Sequence, residues 1–184
     1  VLIDGLTEHG LQLTAPQRRN EPTLYFEEGS GVQRAIAHAR ARKPHLRIGV
    51  VGLGIGTLAS YGQAGDEVRF YELNPAVIEL AERHFSFLAD SPAKVSVTPG
   101  DGRLALERER DQPPMDVIIL DAFSSDAPPV HLLTREAAEL YAERLAPDGL
   151  LVIDGTNRTM NLVPALGGLA EAMGWTMHVH RHRW

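Results

Sequence analysis

From residue 46 onward, short apolar runs alternate with segments in which apolar residues recur at helical spacing. The apolar runs are typical of buried strands and the periodic segments of helices that cover a sheet. The predicted strands cover 47–52, 67–72, 94–98, 115–120, 150–154 and about 175–182. The predicted helices cover about 56–63, 75–85, 102–109, 134–145 and 161–173, with Pro75 in a first turn, Thr134 as an N-cap and a turn at 147–149. Such alternation predicts an α/β fold with a mostly parallel sheet.

The first 28 residues have a different pattern, in which short alternating runs are separated by glycine and proline. The runs at 1–4, 11–13 and 23–26 predict a small β-hairpin region. A helix is then predicted over 32–41, ended by the proline at position 44. We therefore expect an N-terminal hairpin region over 1–28 and one compact domain over 29–184.

The net charge, the absence of cysteine and the length of the apolar runs exclude several classes of function. The net charge of −6 argues against nucleic acid as a partner and suits a small cationic substrate. The absence of cysteine excludes disulfides, thiolate metal sites and cysteine nucleophiles. No apolar run reaches the length of a membrane span and no signal-peptide pattern is present, so we expect a cytoplasmic location.

A glycine-rich turn follows the first strand of the alternating region. Gly52, Gly54 and Gly56 have G-x-G-x-G spacing, whereas a dinucleotide fingerprint needs its third glycine where Thr57 stands. Glu72 ends the next strand about twenty residues beyond the first glycine, the place from which an acid hydrogen-bonds ribose hydroxyls. This combination indicates S-adenosylmethionine or a relative as the ligand, rather than NAD.

Further carboxylates follow the later strands. Asp121 ends an apolar run, where a charge is costly unless it is solvated or partnered. Asp126 lies five positions further along a Pro- and Ser-rich loop, so the two acids form a candidate cradle for an amine. Asp101, beside Gly102, is a candidate acceptor for an adenine amino group. Loop capping by Asp121, solvation of Asp126 and a turn-forming role for Asp101 are the alternatives.

Histidines are the remaining candidates for chemistry. His178, His180 and His182 alternate in the last predicted strand and would share one face. No cysteine or carboxylate accompanies them, so we predict no metal site. His131 follows the acidic loop and is a candidate substrate contact.

Taken together, these segments resemble the spermidine synthase family of aminopropyltransferases. The resemblance is carried by Asp4-Gly5, Tyr25-Phe26-Glu27, the glycine turn, 71–75, 100–102, 116–121, 132–136 and Tyr141. The run 121–126 and the pair Asn157-Arg158 are most similar to a bacterial branch often fused to a membrane transporter. Nearly the whole chain takes part.

The resemblance implies a Rossmann-like class I S-adenosylmethionine-dependent transferase fold and transfer of an aminopropyl group from decarboxylated S-adenosylmethionine to an amine such as putrescine. By position, Glu72 would hold the ribose, Asp101 the adenine, and Asp121 the attacking amine as the catalytic residue. The implied substrate-binding residues are Glu8, Gln12, Tyr25 and Asp126. No metal is implied. A homodimer and a fused transporter domain are partners that the sequence leaves open.

Two positions depart from the family pattern. Ile55 stands in the glycine turn where the family carries an acid for the donor's amine, and Glu8 replaces a glutamine, with Glu8 or Gln12 able to compensate. An apolar residue at position 55 is compatible with intact S-adenosylmethionine. A methyltransferase and a non-catalytic ligand-sensing module are therefore the alternative functions.

Overall fold

A computed structural model of the protein describes residues 1–4, 7–122, 129–155 and 161–181. Within these ranges the strands are β1 (Leu2–Asp4), β2 (Thr7–Gly10), β3 (Arg47–Val51), β4 (Glu67–Glu72), β5 (Lys94–Pro99), β6 (Met115–Leu120) and β7 (Leu145–Ile153). The α-helices are α1 (Gly31–Arg40), α2 (Pro75–His84), α3 (Phe87–Asp90), α4 (Gly102–Arg108), α5 (Arg135–Arg144) and α6 (Val163–Ala172). Short 3₁₀ helices cover Leu24–Phe26, Thr57–Tyr61 and Val130–Leu132. Nowhere in these ranges is a helix both long enough and apolar enough to cross a membrane.

The main sheet has five parallel strands in the order β5-β4-β3-β6-β7, and β1 pairs with β2 in a separate antiparallel hairpin. The parallel sheet and the N-terminal hairpin are as predicted. From β3 the chain moves outward through β4 to β5 and then returns to the opposite side of β3 with β6. Ligands of such sheets bind where the order reverses, beyond the carboxyl ends of the strands.

Apolar residues on both faces of the sheet hold it between helices. All six residues of β6 are buried. Val117 and Ile119 face one apolar cluster, which includes residues of α1, while Ile118 and Leu120 face a second, which includes residues of α5. Burying one such side chain contributes about 1.5–3 kcal/mol. The continuous apolar run is therefore the pattern of a strand covered on both sides.

Polar caps begin the helices that leave the sheet. The predicted N-cap Thr134 is confirmed, because its hydroxyl accepts a hydrogen bond from Ala137 N–H at 3.2 Å. Asn74 caps α2 through Ala76 N–H at 3.0 Å, with Pro75 at the first helical position as predicted. These caps satisfy backbone donors that have no partner within a helix.

Several local predictions were wrong. The helix predicted over 56–63 is a 3₁₀ helix at Thr57–Tyr61, because glycines on either side leave too few residues to nucleate an α-helix. Residues 11–13 are not a strand, and the run at 23–26 contains the 3₁₀ helix Leu24–Phe26. Alternation of apolar residues indicates a strand only where a pairing partner exists.

The end of the sheet also differs from expectation. Residues 175–181 form no strand, although a strand was predicted near 175–182. The turn predicted at 147–149 lies within β7, where the pairing with β6 jumps from Leu145 to Leu150. The turn residues are thus accommodated as an irregularity of the strand rather than as its boundary.

Candidate active site

Three acidic residues and one glycine form a row across the carboxyl ends of four neighbouring strands. In the order of the sheet they are Glu72 of β4, Gly52 after β3, Asp121 after β6 and Asp154 after β7. The backbone hydrogen bonds between neighbouring strands continue up to this row. The N–H groups of Gly52, Asp121 and Asp154 donate to the carbonyl oxygens of Tyr71, Val51 and Leu120, at 2.8, 2.8 and 3.1 Å respectively. Because residues paired in register project to the same face, the acidic side chains share one side of the sheet. We call Glu72, Asp121 and Asp154 the carboxylate row.

Gly52 makes this row possible. Its φ is +102°, and a Cβ placed on it would overlap the carbonyl oxygen of Asp121 and lie 2.8 Å from its carbonyl carbon. Both are backbone atoms, which cannot move aside as a flexible side chain does. A glycine is therefore required where the ends of β3 and β6 approach each other, and it leaves space between Glu72 and Asp121.

The carboxylate of Glu72 is held by the backbone around it. Its Oε2 accepts a hydrogen bond from Leu53 N–H at 3.0 Å, and its Oε1 accepts one from Asn74 N–H at 2.8 Å. Each oxygen of an ionised carboxylate can accept two hydrogen bonds, so both keep one acceptor position. A pair of neighbouring hydroxyl groups on a ligand fits this arrangement.

Asp121 lies in an electrostatically unfavourable place for a charge. Burial raises the pKa of Asp121 well above its usual range, and the charges of Asp154 and Glu72 raise it further. Burial also raises the pKa of Tyr25, and Asp121 and Asp154 add to that effect. Tyr25 packs with Phe26, the ring centroids 4.3 Å apart, against the apolar cluster that includes Val117 and Ile119. The charge of Asp121 thus acts on the hydroxyl of Tyr25, and both residues were candidates from the sequence.

Asp101 has two separate roles in the structure. Its Oδ1 accepts a hydrogen bond from Leu104 N–H at 2.9 Å and caps α4. Its Oδ2 lies 3.0 Å from Nε2 of His131. The turn-forming alternative is realised as this cap, which uses only one oxygen. Gly102 begins α4 against β3, where a Cβ would lie 2.6 Å from Cγ1 of Val51.

The N-terminal hairpin closes over the glycine turn. A Cβ on Gly54, whose φ is +54°, would lie 2.8 Å from the carbonyl oxygen of His9. Ile55 is 1% exposed, and a Cβ on Gly10 would lie 2.7 Å from its Cδ1. Gly56 completes the turn with a φ of +81°. The side chain of Ile55 therefore anchors the hairpin, so its apolar character has a packing reason.

The remaining sequence candidates are placed as follows. The amide of Gln12 donates to Ser86 Oγ and to the carbonyl of Arg19, both at 2.9 Å, and accepts from Ser86 N–H at 3.1 Å. Gln12 thereby ties the N-terminal segment to the start of α3. Asp126, Asn157-Arg158 and the side chain of Glu8 lie outside the described residues. Their predicted roles stay predictions.

Asp154 is a site residue that sequence reasoning missed. The sequence showed an acid ending an apolar strand, the same signal that singled out Asp121. Its significance depends on β7 lying beside β6, which residue spacing alone does not reveal. Over the described ranges no group of three or more His, Cys, Asp or Glu residues is arranged to hold a metal, and His182 lies outside those ranges.

Comparison with solved structures shows the fold. The structure of human methyltransferase-like protein 13 in complex with SAH superposes with a TM-score of 0.62 at 22% identity, over 74% of this chain and 69% of that one. The protein has the Rossmann-like fold of the class I S-adenosylmethionine-dependent methyltransferases, which confirms the predicted fold class.

Sequence relatives come from two groups of transferases. The polyamine aminopropyltransferase of Vibrio vulnificus is 34% identical over 113 residues, which are 58% of this chain and 36% of that protein. The N-terminal histidine N-methyltransferase of Emericella nidulans is 30% identical over 138 residues, 73% of this chain and 23% of that protein. The chain thus spans little more than a third of the first relative and less of the second. No family model matches it.

Proposed function

We propose that this protein transfers an alkyl group from a sulfonium donor to the nitrogen of an amine, as a polyamine aminopropyltransferase using decarboxylated S-adenosylmethionine. The observation that carries the proposal is the carboxylate row, in which Asp121 and Asp154 follow adjacent strands and their charges raise the pKa of Tyr25. Negative charge at this place suits a cationic amine. Similarity to an aminopropyltransferase of Vibrio vulnificus supports the same assignment.

The donor's nucleoside fits the edge beside this row. Glu72 would accept the two ribose hydroxyls through the acceptor positions that its oxygens retain. Asp101 would accept the adenine amino group through Oδ2, since Oδ1 caps α4. When bound, the donor supplies an electrophilic carbon attached to a positively charged sulfur. Asp121 lies two strands from Glu72, on the side where the acceptor would enter.

Asp121 would serve as the proton acceptor. An alkyl ammonium has a pKa near ~10.4 and is no nucleophile until it loses a proton. A carboxylate whose pKa is raised by burial is a better base than an exposed one, and Asp154 and Glu72 raise the pKa of Asp121 further. As the amine's nitrogen–carbon bond forms, the carbon–sulfur bond breaks, the sulfur leaves as a neutral thioether, and the amine's proton passes to Asp121.

Methyl transfer to an amine is the second candidate function. It is favoured by the similarity to an N-terminal histidine N-methyltransferase, which covers 73% of this chain. It is also compatible with Ile55, because the glycine turn carries no acid at that position for the amine of a decarboxylated donor. Both functions use the same nucleoside contacts and the same base, so only the donor's transferred group separates them.

The deciding experiment compares donors directly. The protein is incubated with putrescine and either decarboxylated or intact S-adenosylmethionine, and products are identified by mass spectrometry. We expect aminopropylated amine and methylthioadenosine from the decarboxylated donor. Methylated product would favour the second function. No product with any diamine or polyamine, together with tight methylthioadenosine binding, would favour the sensing module.

Two variants assign the roles within the site. Asp121→Asn should lower turnover by about 10²–10⁴-fold, the usual loss for a general base, with unchanged affinity for methylthioadenosine. Glu72→Ala should weaken that affinity by about 1–3 kcal/mol, because the two ribose hydroxyls of the bound nucleoside would lose their acceptor. Asp148→Asn, an exposed acid of β7 outside the row, is the control and should change neither quantity. Near-normal turnover of Asp121→Asn would show that the base lies elsewhere.

A further inference from the structure

His131 is fastened to the first turn of α4 at two points. Its Nε2 lies 3.0 Å from Oδ2 of Asp101, and its carbonyl oxygen accepts a hydrogen bond from Nη1 of Arg103 at 2.8 Å. The following residue is held as well, because Leu132 accepts a hydrogen bond from the hydroxyl of Tyr141 at 3.1 Å. The imidazole is therefore placed by its backbone and not only by its contact with Asp101.

The contact between Nε2 of His131 and Oδ2 of Asp101 has a preferred hydrogen-bond direction. A carboxylate oxygen accepts hydrogen bonds, so the contact fits the histidine tautomer that has its hydrogen on Nε2 and donates it to Oδ2. Leu104 N–H occupies Oδ1, which leaves the carboxylate no freedom to turn without losing one of the two bonds. Oδ2 retains a second acceptor position. Asp101 thus presents a fixed acceptor, and only an acceptor, to a ligand at this edge.

Three apolar residues with exposed side chains adjoin Asp101, His131 and Glu72 along the chain or through a backbone hydrogen bond. Leu73, Leu104 and Val130 are 70%, 49% and 71% exposed, although large apolar side chains are usually buried. Leu104 is the residue that Asp101 caps, and Val130 precedes His131. Leu73 follows Glu72, whose carbonyl accepts Gly100 N–H at 2.8 Å. A flat apolar ring with a hydrogen-bond donor on its edge matches these surroundings.

We propose that His131 is a positioning residue that makes the donor site selective for a 6-amino purine over a 6-oxo purine, by holding Asp101 with Oδ2 as an acceptor at the base edge. The inference rests on the proposed function, which places the adenine at Asp101. A 6-oxo group would set a second acceptor against Oδ2, whereas a 6-amino group donates to it. Without the imidazole N–H, the carboxylate can turn away from either base.

The test compares two nucleosides and two variants by calorimetry on the full chain. The ligands are 5′-methylthioadenosine and 5′-methylthioinosine, which differ only at the base edge. His131→Ala should weaken adenosine binding about three- to tenfold, the range for one net hydrogen bond, and reduce discrimination against the inosine analogue. His131→Gln, whose amide can donate in place of Nε2, should restore most of the affinity for methylthioadenosine and most of the discrimination against methylthioinosine. His38→Ala, an exposed histidine of α1, is the matched control and should change neither.

The possible results distinguish a wrong role for His131 from a wrong proposed function. A merely structural role for His131 would weaken both nucleosides equally and leave their ratio unchanged, which would overturn the inference. Equal or tighter adenosine binding by His131→Ala would also overturn it, since the histidine would then compete with the base. If the unmutated protein binds neither nucleoside, the proposed function fails and the inference fails with it.

Discussion

Replacing Gly52 by alanine tests the packing on which the candidate active site depends. The new Cβ would overlap the carbonyl oxygen of Asp121 and lie 3.3 Å from Cα of Ala122. Relief requires the end of β6 to move away from β3, which strains the 2.8 Å hydrogen bond from Asp121 N–H to Val51. The substitution therefore acts directly on the position of the proposed base.

The expected loss of stability has three parts. A non-glycine residue in the left-handed region costs about 1–2 kcal/mol. A weakened backbone hydrogen bond adds about 0.5–1.5 kcal/mol. Shifting packed backbone to relieve an overlap adds about 1–3 kcal/mol. Gly52→Ala should thus lower the free energy of unfolding by roughly 2.5–6.5 kcal/mol, a large share of the 5–15 kcal/mol by which a typical domain is stable.

Urea unfolding at equilibrium measures this loss, with the slope m as a check on two-state behaviour. Gly100→Ala is the matched control, because Gly100 also has a positive φ, +126°, but nothing within 4 Å of its Cβ position. That variant should lose only the backbone part, about 1–2 kcal/mol. Gly168→Ala, in the open on α6, should gain about 0.5–1 kcal/mol from helix propensity. If Gly52→Ala costs no more than Gly100→Ala, the close approach of β3 and β6 is not what requires the glycine.

Three further predictions concern charge and packing at the site. Because the folded state holds the pKa of Asp121 above its unfolded value, the folded state binds more protons between those two values and stability falls as pH rises through that window. The melting temperature of Asp121→Asn should therefore be higher than that of the unmutated protein at neutral pH. Near pH ~3, below the unfolded pKa of ~3.9, the two melting temperatures should be the same. A lower melting temperature of the variant at neutral pH would contradict this. Asp154→Asn removes a charge that raises the pKa of Asp121, so the acidic limb of the kcat–pH profile should move to lower pH, and an unmoved limb would place Asp154 outside the catalytic field. Ile55→Asp should lower the free energy of unfolding in urea by more than ~2 kcal/mol, since it buries a carboxylate against Gly10. A well-folded variant that prefers the decarboxylated donor would instead show that position 55 reaches the ligand.

Local sequence determined the elements of the fold and much of the candidate site. The apolar run of β6 predicts a strand buried on both faces, and Thr134 predicts a helix start, because such signals depend on neighbours within one or two turns. Asp121 could be singled out for the same reason, as an acid that ends an apolar strand, and Glu72 by its spacing from the glycine turn. The 3₁₀ helix after the glycine turn was predicted as an α-helix because its bounding glycines, Gly56 and Gly62, were included in the predicted helix.

Tertiary structure alone decided which residues meet. Asp154 joins Asp121 because β7 pairs with β6, and strand order is set by long-range pairing that no residue spacing encodes. Ile55 packs against the N-terminal hairpin because Gly10, 45 positions away in sequence, folds back over the glycine turn. His131 reaches Asp101 because the 3₁₀ helix Val130–Leu132 lies against the start of α4, nearly thirty positions away in sequence. Sequence periodicity reports the local environment of a residue, whereas a site is a coincidence of distant segments held together by the burial of their apolar faces.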